Sequence, residues 1–273
     1  MTPRARAILV NASLFAAAVV SLGPLLWMVS VSFMAPGEAS NTPPPLLPHE
    51  ATLVNYRQLF EQTGMGRSFA NSLFLATATT LLALVFNVSA GYAFAKLRFA
   101  GRERIFRTLL GALILPAQVA MIPLFLLLKH MGLVNTYLGV LLPSVANVFG
   151  IFLVRQYALS IPDEMLEAAR IDGAGELRLF WSIVLPTLGP ILVTLAIFTF
   201  LGSWNDFLWP LIVLTSDDLH TLPVALASLT REHVQDSELM MAGGVITVLP
   251  VLALFLVLQR YYIQGLLAGS VKG

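Results

Sequence analysis

Long apolar runs alternate with short polar connections along the chain, at 8–33, 69–95, 108–128, 136–157, 187–214 and 240–263. Each reaches the roughly 20 helical residues that cross a hydrocarbon core about 30 Å thick. None has the strict apolar–polar alternation of a membrane barrel strand, and all are far longer than such a strand needs. The pattern predicts an all-α fold, a polytopic membrane protein with six transmembrane helices. The first run follows Arg4 and Arg6, but it is too long for a cleaved leader and no small-x-small site closes it, so it is expected to remain as an anchor. Pro116, Pro123, Pro143, Pro190, Pro210 and Pro250 fall inside the runs. Each removes a backbone donor and bends a helix, and neighbouring helices can satisfy the carbonyl it frees.

Composition agrees with a membrane protein: of 273 residues 57% are hydrophobic and 11% charged, against about 25% charged in soluble domains. Net charge is +1, and no basic patch with interleaved aromatics points to nucleic acid. The chain has no cysteine, so thiol chemistry is excluded, and His49, His130, His220 and His233 lack metal-ligand spacing. No G-x-x-x-x-G-K-[ST] stretch could cradle ATP phosphates, and no HExxH or cluster of carboxylates lies in the runs. Neither catalytic residues, a metal nor a cofactor is expected.

Lysines and arginines set the orientation. With the N-terminus inside, twelve of them lie on the cytoplasmic side and four (Arg57, Arg67, Lys129 and Arg231) outside. Both termini are thus expected in the cytoplasm. The chain divides into 1–67, a first span with an outer loop; 68–263, the transmembrane domain; and 264–273, a cytoplasmic tail. The outer loop 34–67 carries Pro43, Pro44 and Pro45 in a row, which favours extended backbone. The outer loop 215–239 is acidic through Asp217, Asp218, Glu232, Asp236 and Glu238; it reads either as solvated chain or as a docking surface.

One inner connection is unlike the others. Residues 167–186 read EAARIDGAGELRLFWSIVLP. Ser160 is placed to cap a short helix whose first turn holds Asp163 and Glu164. Met165, Ala168 and Ala169 then share one face, and Gly173 suits the left-handed turn that ends a helix. A second helix is expected from near Gly175 through Leu177, Phe180 and Trp181. On the residues alone the first helix either docks against a partner through its alanines, with Glu167, Arg170 and Asp172 fixing register, or rests on lipid headgroups. Its small face and mixed charge suit the first better than the second.

Glu167-Ala168-Ala169, three residues, Gly173, nine residues and Ile183-x-Leu185-Pro186 resemble the EAA motif of ATP-binding-cassette importer permeases of the type I fold. Asn55-Tyr56, Asn71-Ser72, Trp204-Asn205-Asp206 with Phe207-Leu208-Trp209-Pro210, and the tail Gly265-Leu266-x-Ala268-Gly269-x-Val271-Lys272-Gly273 are similar to the carbohydrate-uptake branch, the maltose-permease G-type subunits. The resemblance implies a cytoplasmic coupling helix formed by Glu167, Ala168, Ala169, Asp172 and Gly173 and seated in an ATPase subunit. It also implies a second permease, two ATPases and an extracytoplasmic solute-binding protein. The substrate it implies is a sugar, an oligosaccharide or sn-glycerol-3-phosphate; the absence of cations from the middle of the spans, with Arg155 and Arg260 at their inner ends, leans to neutral sugars.

Asp206 is the ionisable residue furthest inside a run, about 24 Å along a helix counted from Pro190 at ~1.5 Å per residue. Such groups face protein or water. Trp204, Asn205 and Asp206 either line a translocation path, the indole stacking on a sugar ring, or join helix to helix. An ion-coupled carrier would need more buried acids than this one.

Overall fold

The computed structural model describes residues 3–232 and 236–270, with only the backbone described for Pro3, Ala5, Arg231, Glu232 and 258–270. His233 and the last three residues of the family-like tail lie outside the described residues. The described chain is helical and contains no strand: α1 (Pro3–Ser32), α2 (Val54–Gln62), α3 (Met65–Lys96), α4 (Arg102–Ala112), α5 (Ala117–His130), α6 (Tyr137–Ser144), α7 (Val148–Ala158), α8 (Asp163–Ile171), α9 (Glu176–Leu179), a π turn (Phe180–Val184), α10 (Leu185–Thr187), α11 (Gly189–Trp204), α12 (Leu208–Val213), α13 (Leu222–Glu232) and α14 (Ser237–Ser270).

Among the described residues, four helical stretches are long and apolar enough to cross a membrane, and two bent pairs, each taken as one span, bring the number to six. The third expected span is not straight. Its halves, α4 and α5, meet at 103°, because Pro116 cannot continue a helix and disfavours helical backbone in the residue before it. The fourth breaks at Asn147, whose side chain accepts the Phe149 and Gly150 amides and starts α7 afresh. The fifth starts at a 77° bend between Thr187 and Gly189, whose other arm, Glu176–Thr187, belongs to the expected inner connection, and its helix stops at Trp204. Asp206 therefore lies in a break between α11 and α12, not within a continuous helix. The sixth helix continues to Ser270, so the start of the expected tail is helical.

The chain forms two compact units, Met1–Ser68 with Leu222–Val251 and Phe69–Thr221 with Leu252–Gly273. This grouping by contact places 222–251 with the first residues of the chain and is distinct from the linear division at 67 and 263. In that unit Asn55 is buried and its amide donates to the Ser32 and Met34 carbonyls at 3.0 and 2.8 Å, closing the end of α1. The Tyr56 hydroxyl meets that of Ser32 at 2.8 Å. The outer loops are more ordered than proline and acid content suggest. Glu38 accepts the backbone and ring N–H of His49 and the Ala35 amide, which hold its carboxyl below the usual range. Glu238, expected on an acidic outer loop that is either solvated or a docking surface, is buried on α14 and accepts the Ala39 amide at 2.7 Å.

In the second unit α3 and α7 pack around Val88, Tyr92, Ala95, Val154 and Ala158, with Ile161, Leu166, Val184, Leu188 and Leu195 completing the core. Their backbones approach at Gly91, where an added Cβ would lie 2.6 Å from Val154 Cβ and 3.1 Å from the Arg155 amide nitrogen. Small residues permit such contact between membrane helices. Gly91→Ala is expected to lower the thermal midpoint of the purified assembly, since overpacking costs about 1–3 kcal/mol. Gly23→Ala, which meets nothing within 4 Å, is the control and should leave the midpoint in place.

Candidate functional site

The inner connection folds around one inward side chain. Leu166 is buried in the core, while Met165, Glu167 and Ala168 are exposed and Ala169 is half-buried. Ser160 does not cap the helix as expected: its hydroxyl turns back to the Tyr157 carbonyl at 2.7 Å, and the N-cap position is Pro162. Asp163 and Glu164 still occupy the positive first turn. The far end is as the glycine suggests. Gly173 has φ +85°, its amide donates to the Arg170 carbonyl, and the Ala174 amide donates to Ala169, both at 3.0 Å. These paired bonds satisfy two carbonyls that the helix end would leave open. Asp172 is the C-cap residue. Ile171 and Leu177, 87% and 78% exposed, flank the turn. The next helix starts at Glu176 as expected but does not stop; it passes through the π turn into α10.

Two polar ties join α8 to α3. At its start, the Lys96 ammonium, whose side chain is 5% exposed, donates to the Ile161 carbonyl and to Asp163 Oδ1, each at 2.6 Å. The Lys96 hydrogen bond and charge hold the Asp163 carboxyl below the usual range. A depressed folded value means the tie contributes above the ordinary carboxylate range and is lost only as pH falls through that lower value. Near the end of α8, Arg170 Nε donates to Glu176 Oε1 at 2.8 Å, and the Tyr92 hydroxyl donates to Glu176 Oε2 at 3.0 Å. The bond to Glu176 is the main reason the Arg170 guanidinium is held above its usual range. On α7, Arg155 bonds the Phe94 carbonyl and Glu103 at 3.2 Å each and lies 4.0 Å over the Phe106 ring, so α3, α4 and α7 meet at one cation.

The Trp204-Asn205-Asp206 group is divided by the fold. Trp204 is fully buried, edge-on to Phe69 at 5.6 Å and stacked on Phe200 at 5.9 Å. It has no free face for a sugar ring, so the expected stacking role is not supported. Asn205 is exposed and donates to the Leu201 carbonyl. Asp206 is half-buried, accepts the Trp209 amide at 3.4 Å and lines a cavity of about 420 Å³ with Thr79, Asn147, Thr199, Ser203 and Thr221. Asn71 bonds the Asp218 and His220 carbonyls and accepts the Tyr137 hydroxyl, so this family-like residue fixes the fold. Sequence reasoning missed Tyr92, Glu176 and the threonines; Lys96 registered only as an orientation signal.

The family described as "Binding-protein-dependent transport system inner membrane component" matches residues 87–267. The chain is 40% identical over 259 residues to the arabinooligosaccharides transport system permease protein AraQ of Halalkalibacterium halodurans, covering 94% of this chain and 93% of that one. It is 34% identical to the lactose transport system permease protein LacG of Rhizobium radiobacter, covering 94% and 93%. Among solved structures, a bacterial ABC transporter involved in the import of the acidic polysaccharide alginate superposes with a TM-score of 0.85 at 25% identity, covering 96% of this chain and 99% of that one.

Proposed function

The chain belongs to the family of binding-protein-dependent transport system inner membrane components, and from that premise we propose that it forms half of the path by which a neutral sugar or oligosaccharide crosses the membrane. It is a permease subunit of an ATP-driven importer. Its partners are a second permease, ATPase subunits and an extracytoplasmic binding protein. Hydrolysis belongs to the separate ATPase, and this chain contributes no catalytic group.

The observation that carries the mechanism is α8: a helix with an exposed alanine face, closed by a left-handed glycine and tied near both ends to α3. Glu167, Ala168, Ala169, Asp172 and Gly173 form the surface that enters the ATPase, and exposed Ile171 and Leu177 extend its apolar area. When the ATPases close, α8 moves as a lever arm. Lys96 and the Tyr92–Glu176–Arg170 chain carry that displacement into α3, which lines the cavity through Leu75 and Thr79. The bias in lysine and arginine supports a cytoplasmic α8 and cytoplasmic termini. The permease domain proper is 68–263, with 1–67 as its leading span and outer loop and 264–273 at the cytoplasmic face.

The thiol-free chain offers one experiment for both orientation and docking. In intact cells a membrane-impermeant maleimide is expected to label Asp217→Cys and not Asp172→Cys. In inside-out vesicles Asp172→Cys should react when the ATPase is stripped and be protected when it is bound. Labelling of Asp172→Cys from outside, or labelling indifferent to the ATPase, overturns the coupling role.

A further inference from the structure

We infer that the loop segment 43–48 is a lipid contact: its apolar tip, Leu46-Leu47, sits in the headgroup and upper acyl zone of the bilayer, held at that depth by the C-terminal end of α1. The inference goes beyond the importer reading, since neither solute nor coupling enters it.

The span α1 ends at Ser32, but the chain after it does not lead straight into water. It folds back along the helix. The Trp27 indole N–H donates to the Pro45 carbonyl at 3.4 Å, and the Ser30 hydroxyl donates to the Leu46 carbonyl at 2.6 Å. By Thr52 the chain has returned to the helix end, where its amide donates to the Phe33 carbonyl at 2.8 Å. Trp27 and Ser30 precede Ser32 by about 8 and 3 Å of helix at ~1.5 Å per residue. Apolar faces of interfacial segments bury to a similar depth, roughly 5–10 Å, and tryptophan is enriched in that zone.

The chemistry of the segment matches the depth. Leu46 and Leu47 are 78% and 74% exposed, and no charged side chain stands between Glu38 and His49. Leu22, Leu25, Leu26 and Val29 are exposed on α1, so the two leucines continue the apolar surface of the span. The backbone fits as well. Pro43, Pro44, Pro45 and Pro48 have no N–H to leave unpaired, and α1 takes up the Pro45 and Leu46 carbonyls. Unpaired backbone groups would oppose entry into the acyl zone. Polar groups gather at the neck of the loop instead, where Glu38 accepts the Ala35 and His49 amides at 2.9 and 2.8 Å. A docking site for a soluble protein would stand beyond the helix end and carry polar groups at its rim; this tip lies short of that end and carries none.

The thiol-free chain permits Leu46→Cys and Leu47→Cys, with Asn41→Cys and Glu50→Cys as exposed controls in the same loop. Each cysteine carries a nitroxide, and the whole importer is placed in vesicles of phosphatidylcholine and phosphatidylglycerol. Collisions with oxygen, which concentrates among acyl chains, are compared with collisions with a water-soluble nickel chelate. Oxygen is expected to dominate at 46 and 47, and the chelate at 41 and 50. Trp27→Phe with Ser30→Ala frees both carbonyls, and the labels at 46 and 47 should then shift toward the chelate. Dominance of the chelate at 46 and 47 while Trp27 and Ser30 are in place overturns the inference, because the tip is then in water. Exclusion of both reagents overturns it too, because a protein partner then covers the tip. Labels that keep their depth once Trp27 and Ser30 are replaced overturn the role of α1 in holding it.

Discussion

Gly173→Pro is expected to reach the membrane and to lose ATP-driven uptake entirely. Gly173 sits at φ +85°, and proline is locked near −65°, a mismatch that costs ~3 kcal/mol or more where the backbone cannot follow. Proline also deletes the amide that donates to the Arg170 carbonyl. Both effects strike the turn that aims α8, while Leu166 and the spans are untouched. Gly173→Ala separates geometry from bulk. An alanine Cβ there meets nothing within 4 Å, so its only penalty is the left-handed backbone, about 1–2 kcal/mol, and uptake should fall only partly. The measurement is uptake in proteoliposomes beside ATP hydrolysis stimulated by the loaded binding protein. Wild-type rates in the proline variant would show that the turn does not aim anything.

The second large effect needs two changes together. Lys96→Met removes the tie at the start of α8, and Glu176→Ala removes the tie near its end. Each alone leaves the helix held at one point, and uptake is expected to fall roughly two- to threefold. With both removed, α8 keeps the chain and the Leu166 contact but neither polar tie, and uptake should fall about thirtyfold or more. That excess over the product of the single effects is the signature of two elements acting on one body. A strictly multiplicative double variant would mean that the ties act independently and that α8 is not a shared lever arm.

How much of this was legible in the sequence depends on the range of the interaction involved. The glycine turn at 173 and the alanine face are local, and the EAA stretch displayed them without help from distant residues. The six apolar runs were legible as lengths, because hydropathy reports how much chain is apolar. It does not report direction, so the bend at Pro116 and the restart at Asn147 stayed hidden inside runs of suitable length. Trp204-Asn205-Asp206 was visible as polar residues in an apolar segment but was misjudged as part of a helix. Two polar groups between an aromatic and a short proline-containing helix form a break, and Trp204 then turns into its own aromatic cluster. The ties were beyond local reading. Tyr92 and Glu176 are 84 positions apart, and nothing in either neighbourhood names the other.

The π turn at Phe180–Val184 separates the lever arm from the wall of the cavity. In an α-helix each residue advances the face by about 100°, so one residue absorbed in a wider turn changes the phase of everything after it. Upstream of that turn, Glu176 keeps its angle toward Tyr92; downstream, where the chain reaches the 77° bend, Leu188 keeps its own toward the core. The turn thus works as a phase shifter between two azimuths on the arm that precedes the bend. Losing one residue from it would rotate Leu188 relative to Glu176 without altering the composition of either segment.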